Sequence, residues 1–188
     1  MKGSKEEIAG MAALGVAFLV LAINFAEIGG HHGPRAQAQA ELGGAPVEVH
    51  YAPAENLERI DVALIDAAGE RIDMAAYVLT DWAVIEALID AANRGVTVRI
   101  WRDPGQAERT AAAEEAKLES APGIAVRIKP PGELMHMKSY CIDGKTLRSG
   151  AANFSASGEK RQDNDLVVLR GPGVCARFEA NFEKIWGE

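Results

Sequence analysis

Residues 70–103 of the chain are ERIDMAAYVLTDWAVIEALIDAANRGVTVRIWRD, and this stretch is the strongest indication of the fold class. It begins and ends with short apolar runs, at 71–78 and 96–101, which are typical of buried strands. Between these runs, apolar residues recur at three- and four-residue spacing after Asp81, a residue type that caps helix N-termini. A strand, a helix and a second strand in succession indicate an α/β fold.

The flanking sequence continues this alternation and then changes to hairpins. Next to the central stretch, the patterns predict strands at 47–51 and 124–128 and helices at 55–68 and 107–120. Further along, they predict strands at 135–142 and 146–149 joined by a tight turn, a strand at 166–169 and a closing helix at 174–186. We therefore expect a largely parallel mixed sheet flanked by helices on both faces and preceded by an N-terminal hydrophobic helix.

Composition narrows the functional classes. The 188 residues are 25% charged and 48% apolar, which excludes a disordered, collagenous or coiled-coil chain. A net charge of −7 argues against coating nucleic acid through bulk charge, although a local basic pocket is still compatible with it. The two cysteines, Cys141 and Cys175, are too few for a disulfide framework, and without a CxxC pattern a structural zinc site is not expected.

The N-terminal region predicts export. Residues 8–26 carry no charge and, as a helix, would span roughly 28 Å, the hydrocarbon thickness of a bilayer. Overlapping A-x-A patterns at 36–40 resemble cleavage sites, so the run is either a cleaved signal peptide or a retained membrane anchor. Because Lys2 and Lys5 precede the run, either alternative places the rest of the chain outside the cytoplasm. If the run is cleaved, the protein is expected to be periplasmic or secreted. The expected organisation is a signal or anchor at 1–28, a linker at 29–44 and a catalytic domain at 45–188.

The residues suited to chemistry lie in the C-terminal third. His136 and Lys138 are two apart on a predicted strand, so their side chains point to the same side. A neutral imidazole can attack phosphorus or exchange a proton near neutral pH, and an ammonium group can hold a phosphate oxygen. Asp143 follows at the turn. This combination suits a phosphate ester and requires neither a metal ion nor another cofactor.

A second segment follows shortly after. Gly150 and Ala151 are small enough to let the backbone approach a ligand, and Asn153 offers an amide donor. We also expect Asn153 to cap a helical turn that extends through Ser157.

The spacing His136-x-Lys138-x4-Asp143, followed by Gly150-x-x-Asn153, resembles the HKD signature of the phospholipase D superfamily. The resemblance covers about 45–186 and implies a phospholipase D-like fold. It also implies that two such motifs share one active site, one histidine acting as nucleophile and the other as general acid. Since this sequence holds a single motif, the resemblance implies a homodimer, a phosphohistidine intermediate and no metal ion. Asp143 is then expected to fix the turn and the lysine.

Two positions depart from the family pattern. Ala151 stands where the family usually has a serine, so one hydroxyl donor to the phosphate is absent. Asn164 stands where many single-motif relatives carry a glutamate that orients the catalytic histidine, and it is flanked by Asp163 and Asp165. Asn164 and Asp165 are therefore the candidate residues for supporting His136.

The substrate class has three alternatives. The short, exported, single-motif form resembles bacterial EDTA-resistant endonucleases, which implies DNA or RNA as substrate. A membrane-tethered enzyme that hydrolyses phosphatidyl lipids or cardiolipin is the main alternative, and a catalytically weakened phosphodiester-binding module is the third. Four basic residues near the motif form either a basic groove or a set of solvated loop residues: Lys129, Lys145, Lys160 and Arg161.

Overall fold

The computed structural model describes residues 46–107 and 112–187, where strands and helices alternate as far as the fourth strand. The strands are β1 Val47–Ala52, β2 Arg71–Ala76, β3 Thr97–Arg102, β4 Ile124–Ile128, β5 Lys138–Ile142, β6 Thr146–Gly150 and β7 Asn164–Arg170. The helices are α1 Leu57–Asp66, α2 Trp82–Asn93, α3 Pro104–Ala107, α4 Ala112–Ser120, α5 Ala156–Lys160 and α6 Ala176–Trp186. The segments predicted as a signal or anchor and as a linker, residues 1–28 and 29–44, lie outside the described residues.

The seven strands form one mixed sheet in the order β1-β7-β6-β5-β2-β3-β4. Five strands run in one direction, while β5 and β7 run in the other. Because these two are each inserted between oppositely directed strands, only the β2–β3 and β3–β4 pairs are parallel. The other four pairings are antiparallel. The expected α/β class is confirmed, but the pairing is less parallel than the sequence suggested, because the hairpin strands enter the middle of the sheet.

Strand direction places the candidate residues along one edge of the sheet. Lys138, the first residue of β5, pairs with Ala76, the last residue of β2, and Ala76 also pairs with Arg102 at the end of β3. Strand β6 ends and β7 begins at this same side of the sheet, where the strand ends lie. We call this row of strand ends the front edge; it is not an outermost strand. The turn between β5 and β6 lies at the opposite, rear edge beside Arg71.

Helices α1, α2 and α4 cover one face of the sheet. Asn56 caps α1 by accepting a hydrogen bond from the amide of Arg59, and Asp81 caps α2 by accepting one from Ala83. The apolar sides of these helices supply fully buried residues to the main core, among them Leu57, Ile65, Val84, Leu88 and Leu118. Burying each such side chain contributes about 1.5–3 kcal/mol, so this face supplies much of the stability.

Helix α6 covers the other face through Phe178 and Phe182. Arg99 of β3 lies over the Phe182 ring, 5.1 Å from its centroid, and also forms ion pairs with Asp73 and Glu183. A disulfide between Cys141 and Cys175, separated by 34 residues in sequence, joins β5 to the residue that precedes α6. This pairing was not expected from the sequence: two cysteines form no framework, but they form this single covalent link.

Helices long and apolar enough to cross a membrane do not occur in the described part of the chain. The apolar run at 8–26 lies outside that part, so the expectation of a signal peptide or anchor remains a sequence-based prediction.

Candidate active site

His136 and Lys138 lie together at the front edge, His136 just before β5 and Lys138 at its start. The imidazole is exposed to solvent. The lysine side chain is 7% exposed, and its Nζ donates a hydrogen bond of 2.9 Å to the backbone oxygen of His136. An accessible imidazole thus sits beside a largely enclosed ammonium group.

Tyr77 contacts both of these side chains. Its ring meets the His136 ring edge-on, with centroids 4.4 Å apart, and its centroid lies 4.9 Å from Lys138 Nζ. Gln106 Nε2 donates to the tyrosine hydroxyl at 3.2 Å, which limits rotation of the ring. Tyr77 was not among the site residues expected from the sequence. Its position directly after β2, beside the edge where ligands commonly bind in α/β sheets, was the available signal.

Asp103 supports the segment that leads into His136. Its Oδ2 accepts a hydrogen bond of 3.1 Å from the amide of Met135, and its Oδ1 accepts one of 3.0 Å from Gly105. Met135 is itself buried, so the backbone before the histidine is held from both sides. The imidazole is exposed, but the chain that carries it is fixed.

Two environmental effects lower the pKa of Lys138. Burial disfavours the charged ammonium, and the positive charge of Arg148 acts in the same direction. The cation–π contact with Tyr77 favours the charged form. An ammonium that is poorly solvated by water is well placed to gain from an incoming phosphate oxygen.

The segment from Gly150 to Asn153 lies beside β5. Extending the Tyr140–Arg148 register by two residues places Gly150 opposite Lys138. Gly150 has φ of +145°, and a Cβ there would lie 2.5 Å from the backbone oxygen of Asp165, so only glycine fits. The structure therefore brings His136, Lys138 and the second segment to the same edge.

Asn153 carries an unused polar group. Its Oδ1 is buried and has no hydrogen-bond partner among the described residues. The expectation that Asn153 caps the following helix is wrong, because the cap is Ser155, whose hydroxyl accepts a hydrogen bond from Gly158. The Oδ1 atom of Asn153 is therefore not used to cap this helix.

Asp143 lies at the rear edge and does not join this group. Its carboxylate accepts three hydrogen bonds of 2.8–2.9 Å, from the amides of Gly69, Glu70 and Arg71. Five residues of strand separate it from Lys138, roughly 16 Å. The sequence-based assignment of Asp143 to the catalytic set, and to fixing the lysine, is therefore corrected: it fixes its own turn, at φ of +52°, to the start of β2.

Replacing Asp143 with asparagine is expected to lower the free energy of unfolding by about 2 kcal/mol at pH 7, because charge-assisted hydrogen bonds are replaced by weaker ones. Burial raises the pKa of Asp143, but the three amides and the Lys145 ammonium outweigh burial and lower it. A lowered pKa contributes stability above the unfolded value, near 4, and that contribution is lost as pH falls further. Urea unfolding from pH 3 to 7 measures both effects. Equal stability of the two proteins at pH 7 would contradict this role.

Asn164 and Asp165 do not contact His136. Asn164 Nδ2 donates to the backbone oxygen of Gly158 at 2.8 Å, and Asp165 Oδ1 accepts a bond of 3.3 Å from the amide of Ala151. The expectation that they orient the imidazole is corrected: they support the Ala151 segment and the helix after it. With Tyr51, Ala52 and Asp163, both residues line a shallow cleft of about 370 Å³.

The four basic residues near the motif do not form one groove. Lys160 pairs with Glu58 and lies 3.6 Å from Asp81, and Lys145 lies in the turn at the rear edge. Lys129 follows β4 at the front edge, and Arg161 directly follows α5. In residues 46–107 and 112–187, no cluster of three or more His, Cys, Asp or Glu side chains has the geometry of a metal site.

Comparisons with known proteins converge on one family. The model of the PLD-like domain of cardiolipin synthase matches residues 62–186. A mitochondrial cardiolipin hydrolase from Chlamydomonas reinhardtii is 30% identical over 122 residues, which are 65% of this chain and 54% of that protein. A phospholipase D from Rickettsia bellii is 30% identical over 151 residues, 76% of this chain and 70% of that protein. The chain thus spans about half of the Chlamydomonas protein.

Solved structures agree with these sequence relatives. Nuc from Salmonella typhimurium, a phospholipase D family member, has a TM-score of 0.68 at 27% identity, covering 76% of this chain and 94% of that one. NucT from Helicobacter pylori has a TM-score of 0.68 at 20% identity, covering 76% of this chain and 96% of that one, which shows a shared fold.

Proposed function

The chain belongs to the phospholipase D superfamily, and from this premise we propose that it is a metal-independent phosphodiesterase that cleaves DNA or RNA. One observation carries the proposal: the exposed His136 imidazole stands next to the largely buried Lys138 ammonium at the front edge of the sheet. The first group can attack phosphorus, and the second can hold the charge on a phosphate oxygen.

The proposed reaction has two steps. In the first, a nitrogen of His136 attacks phosphorus, an N–P bond forms and the bond from phosphorus to the leaving oxygen breaks. That oxygen takes a proton from His136 of the partner subunit. In the second, the partner's His136 takes a proton from water, the water oxygen attacks phosphorus, and the N–P bond breaks to release the product.

This scheme requires two copies of the chain. The sequence contains a single HKD motif, so one copy supplies one imidazole, and a two-fold dimer supplies the second by symmetry. We propose that the two front edges face each other across the dimer axis. The exposed position of His136 is compatible with that arrangement.

We propose that Lys138 and Asn153 hold the non-bridging oxygens. The group of Asn153 that would donate to a phosphate oxygen is its Nδ2, while its buried Oδ1, which has no hydrogen-bond partner among the described residues, is an acceptor. The alanine at position 151 removes a hydroxyl donor that the family usually has, which weakens transition-state stabilisation at this point.

A direct comparison of substrates tests the proposal. The full chain is incubated in EDTA with supercoiled plasmid, single-stranded RNA, or vesicles containing phosphatidylcholine or cardiolipin. Nicking or RNA cleavage without lipid hydrolysis is expected. Loss of all activity in EDTA, with the fold and the oligomer unchanged, would contradict the metal-independent mechanism.

Phospholipid is the second candidate substrate. The relatives named phospholipase D and cardiolipin hydrolase favour it, and so does Leu134, which is 61% exposed two residues before His136 and could contact a lipid surface. Lipid hydrolysis without nucleic acid cleavage would establish this alternative. Binding of phosphodiesters without turnover of any of these substrates would establish a binding module instead.

We also propose that the domain works outside the cytoplasm, either released or anchored by residues 8–26. The Cys141–Cys175 disulfide supports this location, since such bonds persist in oxidising compartments and are rare in the cytosol. Fractionation of the producing cells, with a thiol-reactive label added before lysis, tests it. Recovery of the chain in the cytosol with both thiols reduced would contradict the location.

Replacing Tyr77 with leucine is expected to lower kcat about 10-fold, because both contacts that orient His136 and Lys138 are lost. The matched change to phenylalanine keeps the ring and should stay within about 3-fold of the parent. Steady-state cleavage of bis(p-nitrophenyl) phosphate measures both variants. A leucine variant as active as the phenylalanine variant would show that the ring has no positioning role.

A further inference from the structure

A buried ion pair lies directly below the candidate active site. Arg148 of β6 and Asp61 of α1 are both fully buried. The guanidinium donates from Nε to Asp61 Oδ1 at 2.9 Å and from Nη2 to Oδ2 at 2.7 Å. This two-point contact fixes the plane of the guanidinium group.

The remaining nitrogen of Arg148 connects the two segments of the site. Its Nη1 donates to the backbone oxygen of Lys138 at 2.8 Å and to that of Ala152 at 3.2 Å. Lys138 is the first residue of β5, and Ala152 directly precedes Asn153. One nitrogen atom therefore sets the separation between the two backbones that carry the proposed phosphate-holding side chains.

We propose that Arg148, oriented by Asp61, is a positioning residue that holds the Lys138 strand and the Asn153 segment at the separation that phosphodiester cleavage requires. This inference rests on the proposed function. It assigns a catalytic consequence to a pair that touches neither substrate nor reacting atoms.

Stability alone is a weak reason for such a pair. Removing two charges from water is costly, and replacing a buried ion pair with neutral groups of similar size is often neutral or stabilising. Neutral groups cannot, however, donate to both carbonyl oxygens from one rigid fork. Loss of the pair should therefore affect catalysis more than folding.

The other groups around Arg148 do not replace it. Tyr140 donates its hydroxyl to Asp61 at 2.7 Å, and the Phe154 ring lies 4.4 Å from the guanidinium carbon. Glu159 lies 4.0 Å from Nη2; burial and the nearby Asp61 carboxylate raise its pKa to about 10, so it is neutral at pH 7. At pH 7 the charged groups near the guanidinium are thus the Asp61 carboxylate and the Lys138 ammonium.

The test uses the full chain with Asp61→Asn and Arg148→Met combined, which keeps volume and neutralises both charges. We expect it to fold and to lose about 100-fold in kcat on bis(p-nitrophenyl) phosphate, the scale of an ångström-sized misplacement. Tyr140→Phe is the control: it removes a hydrogen bond to Asp61 without touching either carbonyl oxygen, and should keep the parental kcat. Urea unfolding gives the folded fraction for normalising each rate.

A pH profile separates positioning from a general loss of structure. The Arg148 charge lowers the pKa of Lys138, so its removal should move the basic limb of kcat/KM to higher pH. Among the described residues, the Lys138 ammonium contacts the Tyr77 ring and the backbone oxygen of His136, and the charge of Arg148 acts on it. Arg148→Lys keeps the charge but cannot reach Asp61 and both carbonyl oxygens. Its kcat should therefore fall at least about 10-fold, while the basic limb of its kcat/KM profile stays at the parental pH.

The outcomes are distinguishable. A parental kcat in the double variant, or in Arg148→Lys if the double variant does not fold, overturns the positioning role while the proposed function stands. A wild-type chain that cleaves no phosphodiester overturns the proposed function itself.

Discussion

Replacing His136 with asparagine is expected to reduce turnover by roughly 10⁴-fold or more, because the change removes the proposed nucleophile and, in the symmetric site, the proposed acid as well. The imidazole is exposed, and among the described residues its ring contact is with Tyr77. The substitution should therefore leave the urea midpoint unchanged. Initial rates on plasmid and on bis(p-nitrophenyl) phosphate measure the loss.

Mixing this variant with the wild-type chain tests the two-copy site. After subunits exchange, a dimer is active only if both copies carry His136, so activity should fall with the square of the wild-type fraction. An equal mixture would retain about one quarter of the activity of an all-wild-type sample at the same total chain concentration. Retention of one half would show that each chain turns over substrate alone, and would end the shared-site mechanism.

Replacing Cys141 and Cys175 together with serine is expected to lower the free energy of unfolding by about 3–4 kcal/mol, since the disulfide restricts a loop of 34 residues in the unfolded chain. Both positions are buried, and serine adds polar groups there, so the loss should not be smaller. Urea unfolding of the oxidised parent and the double variant measures the difference.

The matched control is the parent chain reduced with dithiothreitol, which keeps both sulfur atoms and breaks only the bond between them. Its midpoint should move most of the way to that of the double-serine chain. A reduced parent as stable as the oxidised one would show that the link between β5 and α6 adds nothing to stability.

Elements with strong local signals were predictable from sequence. Strand β4 has the expected bounds, and α2 begins directly after Asp81, because periodicity and a capping residue are properties of short windows. Strand β5 begins at Lys138, three residues later than expected. The amide of Met135 is bound by Asp103, 32 residues earlier in the chain, and no local pattern contains that contact.

In the candidate site, too, some positions were predictable from local sequence and others were not. Alternation along a predicted strand placed His136 and Lys138 on the same side; in the structure His136 precedes β5, and both side chains contact the Tyr77 ring. The position of Asp143 was not predictable, because its partners lie 72–74 residues away and only the complete sheet brings them near. The Arg148–Asp61 pair spans 87 residues, and an isolated arginine in a strand looks like any solvated residue. Such long-range polar contacts depend on tertiary packing.

The separation between the two ends of the sheet has an evolutionary consequence. At the rear, Asp143 closes the β5–β6 turn onto β2, and Arg71 pairs with Glu179 of α6 at 2.7 Å; none of these residues is near the reacting groups. Mutations around His136 can then accumulate without loosening the contacts that hold the turn and the last helix. Descendants of one ancestral chain could in this way exchange polymeric for lipid targets while keeping an unchanged scaffold.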